Sequence, residues 1–233
     1  MKIIILSISP YKEKDIIVNA ISEEGLVTFK ASGVLSPNHV NAAINNELTI
    51  ADVILNESKN HKFTLKECSI ILSPLMFSKN LETLTVINAI KEATNKMLDD
   101  EERHEAFHYL ETALYRLKEG ERALIIFLSY LTKLMKLCGL ELEINHCIRC
   151  NGKKDIKGFS INEGGFICNQ CDDHDTYDFT GNLMMTYRSI VGSREMYFKE
   201  LIVNDDDLKM MLSKTLAFIE TYHGTTIESI KLI

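Results

Sequence analysis

The chain has 233 residues, 45% of them apolar and 25% charged, with 3 prolines and 11 glycines. These values sit near the globular average, which excludes a chain disordered over most of its length or built of collagen-like repeats. A net charge of −7 argues against an indiscriminate binder of polyanions but leaves room for a local basic groove. The length suits one large domain or two small ones. Residues 1–80 hold eight lysines and eight acids, so the whole negative excess falls in the remainder. The longest unbroken apolar run, residues 123–128, is far short of the ~18 residues a membrane span needs. The apolar stretch at 3–6 is too short for a signal-peptide core, and no small-residue cleavage site follows it. A cytosolic protein without a membrane partner is expected, and its six cysteines then read as metal ligands and core residues rather than disulfides.

The first 75 or so residues carry a strand rhythm. Segments 2–8, 15–21, 26–31, 48–55 and 63–72 are rich in Ile, Val, Leu, Phe and Thr, with turn residues between them. Glu24-Gly25 predicts a tight hairpin turn, because glycine supplies the positive φ such turns need. Five short strands, with a longer and partly helical connection near residues 39–44, predict a small closed barrel. On pattern alone an OB-fold, an SH3-like barrel and a small open sheet all fit.

After Pro74 the rhythm becomes helical. Residues 81–98 form one predicted helix, with Leu84, Ile87 and Ile90 inward. Residues 101–119 place Phe107, Leu110, Leu114 and Leu117 on one face. Residues 121–138 are apolar nearly all round, as in a central buried helix, and Gly120 and Gly139 stand where helix C-caps belong. Asp205 is a fair N-cap for a last helix with the stripe Leu208, Leu212, Leu216 and Ile219, ending at Gly224.

Between the helices lie Cys147-Ile-Arg-Cys150 and, 17 residues later, Cys168-Asn-Gln-Cys171. Each C-x2-C lets two sulfurs of one turn converge on an ion. The glycine-containing spacer lets a short ribbon fold back, so that Cys147, Cys150, Cys168 and Cys171 complete a tetrahedral site for one Zn²⁺. A thioredoxin-like redox pair lacks its strand–helix context here, and an iron–sulfur site suits the spacing less well. His146 and His174 flank the knuckles, but four thiolates already close the site. A closed site is structural rather than catalytic. Cys68 and Cys138 read as small core residues.

The chain lacks a phosphate-binding G-x-x-x-x-G-K-[ST], a G-x-G-x-x-G and a G-x-S-x-G. The acids 23–24, 99–102 and 205–207 fall in turns or at helix starts, where capping accounts for them. His104 and His108 are four apart without H-E-x-x-H, which suits a solvated face. No enzyme is expected.

The order of these features resembles the RecO family of recombination mediators over nearly the whole chain. Tyr11-Lys-Glu-Lys-Asp15-Ile-Ile-Val18 is similar to the family's Y-x-E-x-D/S-x-x-V opening, and Glu24-Gly25-Leu-Val-Thr-Phe-Lys30-Ala-Ser-Gly33 to its glycine-turn strand. Leu65-Lys-Glu-Cys68 resembles the L-x-E-A of the last barrel strand. Leu137-Cys-Gly-Leu140 followed by the first knuckle resembles the L-L-G-x-x-P…C-x-x-C layout. The most specific stretch is Phe159-Ser-Ile-Asn-Glu-Gly-Gly165-Phe-Ile-Cys168, close to F-s-x-x-x-G-G-x-x-C, and Ile227-Glu-Ser-Ile-Lys-Leu-Ile233 looks like the family's final segment. One departure stands out: after Gly33, where the family carries arginines and lysines, this chain has Val34-Leu35-Ser36-Pro37-Asn38-His39.

The resemblance implies an α+β protein of two domains. Residues 1–79 would form an OB-fold-like β-barrel, and 80–233 an all-helical domain interrupted by a four-cysteine zinc ribbon at about 145–178. It implies a non-catalytic DNA repair and recombination mediator of the bacterial cytosol or nucleoid. Such a protein binds single- and double-stranded DNA, anneals complementary strands, and with RecR helps RecA load onto DNA coated by single-stranded DNA-binding protein. Candidate DNA contacts on the barrel are Lys2, Tyr11, Lys12, Lys14, Lys30, Lys62 and Lys66, with bases stacking on aromatics while lysines track phosphates. Phe29 alternates as an inward strand residue and is expected in the core. A second basic surface could come from Arg116, Lys118, Arg122, Lys133, Lys136, Arg149, Lys153 and Lys154. The acidic, hydrophobic tail of the single-stranded DNA-binding protein is expected on the helical domain, where helices 101–119 and 121–138 would have apolar surface to spare. The competing reading is a protein-interaction adaptor that binds no DNA. A zinc-ribbon hydrolase would need a second site of acids and histidines that the sequence lacks.

Overall fold

The computed structural model describes all residues except 37–40, 59–61, 79, 173–176, 193–194 and 233; the start of the connection expected near 39–44 and His174 therefore lie outside the described residues. Strand β1 (Lys2–Tyr11) pairs antiparallel with β2 (Asp15–Ser22), and β2 with β3 (Gly25–Ala31). Strands β4 (Ile50–Glu57) and β5 (Phe63–Leu72) form a second antiparallel pair. β4 joins β1, and β3 meets β5 in parallel, so the order β1-β2-β3-β5-β4 closes a barrel that fits an OB-fold. Gly25, at φ 135°, follows the two-residue turn between β2 and β3, a backbone conformation that favours glycine.

Alternation sorts the strands into two faces. Ile3, Ile5, Ile16, Val18, Ala20, Val27, Phe29 and Val53 fill the barrel, and Phe29 is a core residue as expected. Ile4, Leu6, Ile21, Ile50 and Leu72 instead join the helical core. A bulge between Ile5 and Ser7 resets the phase of β1, so that Ile8 also packs inward. β4 begins later than the expected residue 48, because Leu48 adopts φ 56° and turns the chain while its N–H donates to the Ile5 carbonyl at 2.7 Å.

The helices follow. α1 (Leu81–Met97) starts at Asn80, whose side chain accepts the Thr83 N–H at 2.7 Å. The helix expected over 101–119 is broken into a short α2 (Asp100–Arg103), a 3-10 turn at His104–Ala106 and α3 (Phe107–Lys118). Arg103 turns back to donate to Leu98 O and Asn95 O at the end of α1, at 3.1 and 3.2 Å, which ties this short turn to α1. His104 and His108 are exposed and fall on separate elements. α4 (Ala123–Leu137) is the central helix, buried from Ala123 through Thr132 and packed on α1, α3, α5 (Gly181–Val191) and α6 (Asp205–His223). The cap of α6 is Asn204 rather than Asp205: its side chain accepts the Asp207 N–H at 2.7 Å. Asp205 pairs instead with Arg122 at 2.6 Å. Gly224 ends the helix at φ 75°. A ribbon of β6 (Glu143–Cys147), β7 (Ile156–Ser160) and β8 (Gly165–Cys168), ordered β6-β8-β7, lies between α4 and α5 in the chain.

The last described residues fold back on α1 through one carboxylate. Glu92 accepts the backbone N–H groups of Glu228 and Ser229 at 2.9 and 2.8 Å, the Ser229 hydroxyl at 2.6 Å and Lys96 Nζ at 2.6 Å. Burial pushes its carboxyl up, but the Lys96 ammonium and these donors outweigh that and bring it from 4.5 down to about 2. The stability this group supplies is complete above its ordinary value and fades as pH falls toward 2. Amide exchange of residues 226–232 should therefore lose protection between about pH 4.5 and 2, and Glu92→Ala should lack that protection already at neutral pH.

Candidate metal centre and barrel-end surface

The two cysteine knuckles meet where β6, β8 and the following 3-10 turn (Asn169–Cys171) converge. In the first knuckle Asn151 N–H donates to Cys147 O at 2.8 Å, and Cys147 N–H to Gly152 O at 2.7 Å. Ile148 N–H donates to Phe166 O at 2.8 Å, which ties that knuckle to β8. The Sγ atoms of Cys147, Cys150, Cys168 and Cys171 all lie within 4.8 Å of one another, with Cys150 and Cys168 at 3.7 Å. A tetrahedron with metal–sulfur bonds of about 2.3 Å has edges of about 3.8 Å, so the four thiols already fit a single tetrahedral ion. Arg149 braces the arrangement, donating to Cys171 O at 2.6 Å and to Glu163 through Nε and Nη2 at 2.9 and 2.5 Å.

The electrostatics suit a cation. Burial opposes ionisation of Cys147, yet backbone N–H groups of Cys150, Cys168 and Arg149 aimed at its sulfur bring it down to about 6. Cys171 moves the other way, up to about 12, because it shares hydrogen bonds with Cys150, Cys168 and Cys147 and sits beside the Cys147 charge. Four crowded sulfurs cannot all ionise by themselves, whereas a divalent cation among them removes the repulsion. His146 turns away to Glu143, at 3.3 Å. Phe159, Phe166, Phe179 and Tyr187 stack between ribbon and α5 with centroids 4.6–6.1 Å apart. Gly158 is required there, since a Cβ would fall 2.4 Å from the Tyr177 ring. Cys68 on β5 and Cys138 after α4 are half-buried and apart from this group.

The strand register divides the barrel lysines. Tyr11 ends β1 opposite Asp15, and the turn between them carries Lys12, at φ 59°, and Lys14. Lys30 faces outward near the end of β3, opposite Ile17 and Thr64, and Lys62 immediately precedes β5. Tyr11, Lys12, Lys14, Lys30 and Lys62 thus share one end of the barrel. Tyr11 is exposed, with Lys12 Nζ 5.5 Å from its ring centre. Asp15 organises this end: it accepts the Gly33 N–H at 2.9 Å and pairs with Lys30 at 3.6 Å. Leu35 N–H donates to Lys14 O at 3.1 Å, which holds the loop after Gly33 against the same turn. Lys2 and Lys66 stand apart from this set. Lys2 lies at the opposite end of β1, paired with Glu111 of α3 at 2.9 Å, and Lys66 sits along β5 beside Glu67 at 3.3 Å.

Most of the helical basic residues have local partners. Arg116 binds Glu121 and lies 4.5 Å over Phe198, and Arg122 donates to Val203 O and Asp205. Lys133 covers the Tyr109 ring at 5.1 Å, and Lys136 pairs with Glu141 at 2.6 Å. Lys153 and Lys154 are exposed beside the knuckle. Most of the apolar side chains expected to be to spare on 101–119 and 121–138, among them Phe107, Leu110, Leu114, Leu117 and most of α4, are buried in packing. An apolar groove of ≈ 420 Å³ lies between the start of α4 and α6, lined by Leu124, Leu212, Leu216, Ile227 and Ile230, with exposed Lys209 and Lys231. The sequence offered no signal for it, since the returning chain after Gly224 makes one wall.

Residues 78–226 match the family described as Recombination protein O C terminal. The DNA repair protein RecO of Bacillus subtilis is 24% identical over 176 residues, which cover 75% of this chain and 69% of that protein. Its counterpart in Bacillus mycoides is 27% identical over 176 residues, covering 75% and 71%. That of Halalkalibacterium halodurans is 24% identical over 178 residues, covering 76% and 70%.

Asp15 offers a direct check on the barrel end. Asp15→Ala strands the Gly33 N–H and releases Lys30, and should cost about 1–2 kcal/mol in urea denaturation. Asp15→Asn, which keeps an acceptor for Gly33, should cost less than half of that.

Proposed function

Because the chain belongs to the RecO family of DNA repair proteins, we propose that it is a non-catalytic recombination mediator. It binds single- and double-stranded DNA through the barrel end, anneals complementary strands, and with RecR helps RecA load onto DNA coated by single-stranded DNA-binding protein. The observation that carries this reading is the gathering of Tyr11, Lys12, Lys14, Lys30 and Lys62 on the end of the barrel away from the helices. A stacking ring beside lysines is the chemistry that single strands need. The domain division proposed is 1–79 for the barrel and 80–233 for the helical part with its ribbon at about 145–178; the family match starting at residue 78 supports it. The acidic, hydrophobic tail of the single-stranded DNA-binding protein docks in the groove beside α6, with apolar anchors on Leu212 and Leu216 and its acids near Lys209 and Lys231. The site of action is the bacterial cytosol or nucleoid, and no helix among the described residues is long and apolar enough to cross a membrane.

Cys147, Cys150, Cys168 and Cys171 hold one structural Zn²⁺. The ion supplies folding free energy to the knuckles and, with four protein ligands, leaves no position for substrate. Metal analysis should give about one zinc per chain. Cys147→Ser and Cys168→Ser should each lose it together with order in the knuckles, while the barrel keeps its denaturation profile. Absence of zinc from protein purified without chelator would contradict the assignment.

Labelled single-stranded DNA, titrated at about 50 and 200 mM salt, tests the DNA surface. Binding should be weak and steeply salt-dependent, because the departure after Gly33 leaves few phosphate contacts. The double variant Lys14→Ala/Lys30→Ala should weaken it for all sequences and lower the salt slope by about 1.4. Unchanged affinity would move the site off the barrel end, and no binding at any salt would favour the adaptor reading. For the tail, Leu216→Arg should abolish the calorimetric signal of a tail peptide; full retention would place the peptide elsewhere.

A further inference from the structure

We propose that the four-cysteine cluster is also a peroxide-responsive switch, in which Cys150 and Cys168 join as a disulfide and the metal is released. The proposal rests on the zinc reading above. Three observations carry it. Cys147 and Cys168 are 1% and 3% exposed, whereas Cys150 is open to solvent. On the side of Gly152, where a Cβ would come within 3.2 Å of the Cys150 sulfur, there is only a hydrogen, so a small oxidant can approach that sulfur. Cys168 Sγ waits 3.7 Å away on the other knuckle, so a bond between the two crosses the ribbon and removes two ligands from one ion.

The chemistry balances with hydrogen peroxide as oxidant. The Cys150 sulfur attacks the O–O bond and becomes a sulfenic acid while hydroxide leaves. The Cys168 thiolate then attacks that sulfur, forms the S–S bond and expels the second hydroxide. Two electrons pass to peroxide: two thiolates and one peroxide yield one disulfide and two hydroxides, which take two protons from solvent to become water. Cys147 and Cys171 remain, too few to retain zinc. The change stays local, because Phe159, Phe166, Phe179 and Tyr187 hold the ribbon on α5 without the metal. Cys68 and Cys138 take no part: both are half-buried, and burial holds the Cys138 thiol up at about 11.

The test uses the full zinc-loaded chain, a few equivalents of peroxide, a chromogenic zinc chelator, a sulfenic-acid trap and peptide mapping by mass spectrometry. The expected result is release of one zinc per chain in step with a Cys150–Cys168 disulfide, with the trap found first on Cys150. Dithiothreitol and added zinc should restore the starting state, and Cys68→Ser/Cys138→Ser should respond at the wild-type rate. Zinc held after the thiols are consumed, a disulfide within one knuckle, or the trap found first on another cysteine would overturn the proposal. Metal content measured before peroxide reports on the zinc reading alone, and a chain free of zinc at that point overturns both.

Discussion

Between Ile3 and Leu6 strand β1 has no solvent face. Ile3 and Ile5 fill the barrel, and Ile4 and Leu6 press on the helical core together with Ile21, Ile50 and Leu72. Ile4 and Leu6 are each worth roughly 1.5–3 kcal/mol of burial, and none of that is available to a barrel standing alone with that wall wet. The seam therefore fixes the barrel against the helices at the start of β1 and β4 and at the end of β2 and β5. Lys2 reinforces it through Glu111. The opposite end, where β1 turns into β2 and β3 finishes, is left to solvent, and it is there that Tyr11, Lys12, Lys14, Lys30 and Lys62 stand. The packing that joins the two parts thus selects which end of the barrel faces solvent.

The ribbon divides its stability in another way. Its inner half is apolar and aromatic, with Phe159 and Phe166 at 0% and 3% exposure, packed on Tyr187 of α5. Its outer half has the knuckles, where hydrogen bonds of Ile148, Asn151 and Arg149 shape the loops but little apolar area is buried. A metal held by the four cysteines and the aromatic stack would therefore act on different ends of one small sheet. Loss of such a metal would leave the aromatic stack in place, so that the knuckle end could open while α5 stays packed on the ribbon.

How far the sequence carried the reading depended on the range of the determining interaction. The cysteine cluster was legible because two C-x2-C turns and a glycine-bearing spacer fix it locally. The five barrel strands were legible from turn residues and β-branched runs, yet 48–55 slid to Ile50–Glu57 since Leu48 is held at positive φ by Ile5, a partner distant in sequence. The break after Arg103 depends on its reach to Asn95 and Leu98, and periodicity alone merged the pieces into one helix. α5 was missed although Met184, Tyr187 and Ile190 recur every third residue, because the stripe is short and faces the ribbon rather than another helix. Grouping the lysines required the register: Lys2 and Lys66 look like Lys12 and Lys14 in the sequence and stand elsewhere on the barrel.

The claim on which the rest depends is that DNA lies across the end of the barrel remote from the helices. Photocrosslinking of the full chain to a short single strand, with the adducts located by mass spectrometry, tests it most directly. Adducts should concentrate at Tyr11 and in the peptides holding Lys12, Lys14, Lys30 and Lys62. Adducts confined to the helical part or the knuckles, with Tyr11 unmodified, would contradict it.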